Sequence, residues 1–138
     1  MSGLGDIGIA VQEPGGDANA RAVLREIETL LERLLASGEG GSIDLGGLPL
    51  SGADYELLEA TLGHGEVSAV IDSLGPTDVI ETAIPGVWWL THCNAAEEVM
   101  AEFIEVGWCP QIVLAAQEDV SDGLQRLRSA LKEDGNAG

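Results

Sequence analysis

Apart from one short alternating stretch at Ser42 to Leu45, hydrophobic residues in this chain keep a helical period up to Gly63, and from Val67 to Trp108 the period changes to two, so most of the strands fall in one continuous stretch. Between about Asp17 and Ser37, residues Val23, Ile27, Leu30, Leu31, Leu34 and Leu35 recur at helical spacing, and Gly38 supplies a stop. Ser42-Ile-Asp-Leu45 alternates as a short strand before Pro49. Ser51 then stands three residues ahead of Asp54, a weak form of the Ser/Thr-x-x-Glu capping box, and opens a second helix through Leu57, Leu58 and Leu62.

After Gly65, residues Val67, Ala69 and Ile71 share one face of a strand that ends near Leu74-Gly75-Pro76. Val79 to Ile84, Val87 to Cys93 and Val99 to Trp108 read as three more strands, with Pro85-Gly86 bending the chain and Pro110 ending the last one. Val120, Leu124, Leu127 and Leu131 mark a final helix, whose Arg126, Arg128 and Lys132 lie toward the end where cations suit the helix dipole. The expected fold is α+β: an antiparallel meander of about four strands, with two N-terminal helices and one C-terminal helix packed on one face. Glycine-rich ends make residues 1–18 a flexible N-terminal segment and 134–138 a flexible tail, leaving 19–133 as a single domain.

A net charge of -18, from 24 acidic residues against 6 Lys and Arg, argues against nucleic acid and an anionic membrane surface as partners. The same field attracts basic segments and speeds encounter with them. Met1 to Gly16 has neither a basic start nor an apolar run, and no stretch reaches membrane-spanning length, so a cytoplasmic protein is expected. The strand register places Cys93 and Cys109 beyond disulfide reach, as reduced thiols.

No catalytic motif emerges. His64, His92, Cys93 and Cys109 fall in no metal-ligand spacing, there is no Gly-x-Ser-x-Gly, and Gly63-His-Gly65 reads as a helix cap turning into a strand. No catalytic residue, metal site or cofactor is expected. Glu81, Glu102 and Glu105 lie on neighbouring strands and either converge or form a solvated outer face. Trp88 and Trp89 are consecutive in a strand and so point to opposite faces. One belongs in the core; the other, with Trp108, belongs on the open face, in a dimer seam or under a covering segment, and tryptophan is the residue most enriched among binding hot spots.

The segments Glu81-Thr-x-Ile-Pro-Gly-Val-Trp-Trp89 and Glu105-Val-x-x-x-Pro110, with Leu24-Arg-Glu-Ile27, Ile43-Asp-Leu-x-x-Leu-Pro-Leu50 and Leu62-Gly-x-Gly-Glu66 in support, resemble the C-terminal region of the hydrogenase expression/formation family HupH, also called HyaF. The resemblance implies a non-enzymatic accessory protein, a chaperone or maturation factor, for an uptake nickel-iron hydrogenase. It points to the small, iron-sulfur-carrying subunit before export by the twin-arginine route, and to its leader peptide, as the partner. Other hydrogenase accessory proteins and a second copy of the chain are further partners to consider. Glu81, Pro85, Gly86, Trp88, Trp89, Glu105, Trp108 and Pro110 are the expected partner-binding residues. The alternative is a protein that handles metal or iron-sulfur clusters through His64, His92, the cysteines and nearby carboxylates; a small enzyme of cofactor assembly is a third reading. Family members are generally longer, so the chain is expected to be a minimal form or to lack a companion domain.

Overall fold

Two helices laid on a five-stranded antiparallel sheet, and a third helix beyond it, make up the computed structural model, which describes residues 16–137. Helix α1 (Ala18–Ser37) buries Ala20, Val23, Ile27, Leu30 and Leu34, a stripe stepping by three and four residues. It closes at Gly38, whose N–H donates to the Leu34 carbonyl at 2.8 Å. Helix α2 (Gly52–Leu62) opens on the expected capping box: Ser51 Oγ accepts the Asp54 N–H, and the Asp54 carboxylate accepts the Ser51 N–H.

Asp54 does more than cap its own helix. It is 1% exposed, and its Oδ1 accepts the Ala20 N–H at 2.9 Å, so one carboxylate satisfies orphan donors at the starts of both helices. Burial pushes this carboxyl up, but the hydrogen bonds from Ser51 and Ala20 together outweigh it and hold the pKa below its ordinary value.

The strands are β1 (Gly41–Asp44), β2 (Ser68–Asp72), β3 (Pro76–Glu81), β4 (Val87–Cys93) and β5 (Val99–Val106). Their order is β1-β5-β4-β3-β2. Thus β2 to β5 form the expected meander, and the short N-terminal strand adds a fifth member at its edge, Ile43 opposite Ile104. Gly40 permits this approach: a Cβ there would collide with the Val106 carbonyl oxygen. Cys93 pairs with Val99 as expected, whereas Cys109 lies past the end of β5, and both thiols are free.

One face of the sheet carries Ile43, Val87, Ile104 and Val106 against α1 and α2, together with Leu45, Leu58 and Leu62. The opposite face holds a smaller cluster of Val79, Trp88 and Leu90, flanked by Ala69, Ile71 and Phe103. The expectation that the C-terminal helix also packs on the sheet is corrected here. Helix α3 (Gln117–Ala137) has Val120, Leu124, Leu127 and Leu131 at 58%, 45%, 58% and 62% exposure. Its apolar period is real, but nothing among the described residues covers it. The helix also runs past residue 133, the boundary expected for the ordered domain. Of the expected flexible N-terminal segment, residues 1–15 lie outside the described residues.

Candidate functional site

Six of the eight expected partner-binding residues, all but Glu81 and Trp89, lie on or beside one loop, Gly107 to Pro110, that leaves the end of β5. Its geometry begins at the β3–β4 connection. There the Thr82 N–H and Oγ1–H both donate to the Val87 carbonyl, at 3.0 and 2.8 Å, and the Val87 N–H donates to Ile84 at 3.1 Å. Pro85 rides exposed at the tip. Gly86 follows at φ 91°, a conformation that disfavours any residue with a Cβ, and its carbonyl accepts the Gly107 N–H at 2.9 Å.

Trp88 supplies the second support. Its cross-strand neighbours are Glu81 and Glu105, the residue is 9% exposed, and its Nε1–H donates to the Gly107 carbonyl at 3.1 Å. Gly107 is thereby held through both backbone polar groups. Glu105 supplies the third support, its Oε2 accepting the Gln111 N–H at 2.8 Å across the loop. Pro110 is fully buried and anchors the far end. Between these fixed points Trp108 projects into solvent at 67% exposure.

Beside Trp108 runs a groove of about 740 Å³ between the end of α1, β1 and the loop, walled by Leu34, Gly38 to Ser42, Cys109 and Leu114. Glu39 and Glu105 give it an acidic rim. The chemistry on offer is an exposed indole on a braced backbone next to an apolar cleft with carboxylates at its edge. That combination suits a segment with an apolar part and a cationic part.

The two other named positions lie elsewhere or serve the frame. Glu81 Oε1 accepts the N–H groups of Glu66 and Val67, both at 3.1 Å, and so fixes the chain entering β2. Trp89 packs with the helix-side core, its Nε1–H donating to Glu102 Oε2 at 3.1 Å. Neither member of the Trp88-Trp89 pair is free on an open face, so the exposed indole of this block is Trp108.

Glu102 organises a second, smaller pocket of about 200 Å³ on the helix side, which Glu59, His64, Trp89 and Thr91 also line. Tyr55 Oη–H donates to Glu102 Oε1 at 3.2 Å, and Thr91 Oγ1–H to Oε2 at 3.4 Å. Burial raises the Tyr55 pKa, and the Glu102 charge and hydrogen bond raise it further. Glu102 thus faces away from Glu81 and Glu105, and the three carboxylates do not converge. The metal-handling residues are scattered as well. His64 lines this pocket, while His92 lies on the strand against Thr77, with Nδ1 2.7 Å from its hydroxyl, and Cys109 lines the Trp108 groove. Among the described residues no group of three or more His, Cys, Asp or Glu is placed to hold a metal ion.

Residues 18–133 match the family described as HupH hydrogenase expression protein, C-terminal conserved region. The chain is 34% identical over 119 residues to the hydrogenase expression/formation protein HoxQ of Azotobacter vinelandii, covering 83% of this chain and 41% of that protein. It is 33% identical over 119 residues to HupH of Rhodobacter capsulatus, covering 85% and 42%. The chain therefore spans about two fifths of the length of these curated relatives. The solved structure of the hydrogenase expression protein HupH from Thiobacillus denitrificans superposes with a TM-score of 0.79 at 42% identity, over 84% of this chain and 97% of that one.

Proposed function

Because this chain belongs to the HupH family of hydrogenase expression proteins, we propose that it is a non-catalytic maturation factor for a nickel-iron hydrogenase that grips the small-subunit precursor in the cytoplasm. The observation that carries this reading is Trp108, 67% exposed on a loop braced at Gly107, Gln111 and Pro110. A large indole carried on a braced loop spares part of the cost of ordering the backbone on binding and buries much apolar area. The groove beside it accepts an apolar segment, and Glu39 and Glu105 at its rim attract cations.

A twin-arginine leader, basic near its start and apolar behind, matches both halves of that surface. The -18 charge of the whole chain steers such a segment inward, an effect that salt screens. No helix among the described residues is long and apolar enough to cross a membrane. The test is co-purification with the small-subunit precursor, carried out with and without its leader and with the large subunit as control. Leader-dependent retention is the expected result. Retention without the leader reassigns the site to a folded part of the subunit, and no retention of the small subunit refutes the proposal.

A further inference from the structure

The small pocket on the helix side of the sheet is electrostatically incomplete. Glu102, half-buried on β5, accepts hydrogen bonds from Tyr55 Oη–H at 3.2 Å, Trp89 Nε1–H at 3.1 Å and Thr91 Oγ1–H at 3.4 Å, and all three donors are neutral. Its carboxylate is oriented but not countered. Glu59 adds a second carboxylate at the exposed rim, and no Lys or Arg is among the described residues that line the pocket. The chain's six cations lie elsewhere: Arg21, Arg25 and Arg33 on α1, and Arg126, Arg128 and Lys132 on α3.

Two further features favour positive charge at the same place. The pocket opens where α2 ends, at Gly63 and His64, and the negative end of that helix dipole has no basic residue in its last turn. Trp89 forms one wall, and an indole attracts a cation that lies against it. A hard metal ion is the wrong occupant, because it needs a shell of oxygen ligands and no group of three ligating side chains is placed here among the described residues. The volume of about 200 Å³ is below the roughly 300 Å³ at which pockets for whole drug-sized ligands begin, and is on the scale of one side-chain tip.

We infer that this pocket receives a guanidinium, carried either by an arginine side chain of a partner or by a small free molecule. A guanidinium is planar, stacks on an aromatic wall and offers five N–H donors in a fixed fork, enough to engage Glu102 and Glu59 together. An ammonium is a compact, strongly hydrated charge without that plane, and fits less well. Tyr55, Trp89 and Thr91 hold Glu102 in position before the ligand arrives, which lowers the cost of binding. The pocket shares no lining residue with the Trp108 groove, so the inference stands apart from the leader reading.

Titration of the full chain with ethylguanidinium, ethylammonium and N-ethylurea, followed at the Trp89 indole N–H by two-dimensional NMR, tests the inference. Ethylguanidinium is expected to shift that resonance saturably, with a dissociation constant in the millimolar range that rises with salt. Ethylammonium is expected to bind severalfold more weakly, and the neutral urea not at all. Glu59→Lys, at an exposed position, sets a cation at the rim and is expected to weaken ethylguanidinium binding by about tenfold or more. Glu102→Gln keeps the side-chain shape while removing the charge, and is expected to do the same. The peptide acetyl-Ala-Arg-Ala-amide separates the two sources: tighter binding than ethylguanidinium assigns the pocket to a partner's arginine, and weaker binding assigns it to a small free molecule. No saturable shift up to about 100 mM ethylguanidinium, an equal response to ethylurea, or undiminished binding by either folded variant overturns the inference.

Discussion

The carboxylate of Glu105 accepts the backbone N–H of Gln111 at 2.8 Å, and that bond closes the loop on which Trp108 stands. Trp88 works from beneath the same loop through the Gly107 carbonyl, and Gly86 meets the Gly107 N–H. The segment from Glu81 to Trp89 and the segment from Glu105 to Pro110 are therefore two halves of one structure. Most of their named residues hold a platform, and Trp108 is what the platform presents.

That division of labour separates two tryptophans by experiment. Trp88→Ala removes a ring packed with Val79 and Leu90 and is expected to cost about 3 kcal/mol or more in urea unfolding. Trp108→Ala is expected to fall within about 0.5 kcal/mol of wild type, as for an ordinary surface change. Equal losses at the two positions would contradict the assignment of frame and tip.

Removing the brace should loosen the tip without unfolding the domain. Glu105→Ala takes away one hydrogen-bond acceptor, at a cost of about 1 kcal/mol. Faster amide hydrogen exchange at Gln111 and a more mobile Trp108 ring in NMR relaxation are the expected signs. Unchanged exchange at Gln111 would show that the loop is held without Glu105.

Asp54 makes the fold acid-sensitive in a defined direction. Its folded pKa lies below the ordinary 3.8, so the stability it contributes is fully present above that value and is lost as pH falls through the folded one. Asp54→Asn is expected to lower unfolding free energy by about 1–3 kcal/mol near neutral pH. The gap from wild type should narrow in the most acidic unfolding curves. A gap that is constant with pH would assign the loss to packing rather than to charge.

Tyr55 is the chain's only tyrosine, so its ionisation can be followed directly by ultraviolet absorbance. Its pKa is raised above 10.0, first by burial and then by Glu102. The stabilisation tied to the neutral phenol is thus complete below 10.0 and is lost as pH rises through the higher folded value. Glu102→Gln is expected to bring the midpoint part of the way back, because burial remains. A wild-type midpoint at 10.0 would contradict the Tyr55–Glu102 contact.

Periodicity made much of this fold legible. The long stripe of α1, the Ser51–Asp54 cap and the bounds of β4 from Val87 to Cys93 all follow from local patterns. What escaped depends on distant partners. Ser42 to Leu45 reads as a strand locally, one residue off the observed Gly41–Asp44, but nothing local says that it pairs with β5, some sixty residues on. Asp54 reads as a cap, and its bond to Ala20 is invisible for the same reason. The α3 stripe announces an apolar face without naming what covers it. Trp108 was expected in strand, yet β5 stops at Val106. The flanking Gly107 and Pro110 are the turn signals that could have placed it on a loop.

The central claim is that Trp108 is the anchor for the hydrogenase small-subunit precursor. The most direct measurement compares the affinity of wild type and Trp108→Ala for that precursor, with folded content of both chains matched by near-ultraviolet circular dichroism. The account predicts a loss of at least tenfold, the scale of an interface hot spot truncated to alanine. Equal affinity in a fully folded Trp108→Ala chain would contradict it.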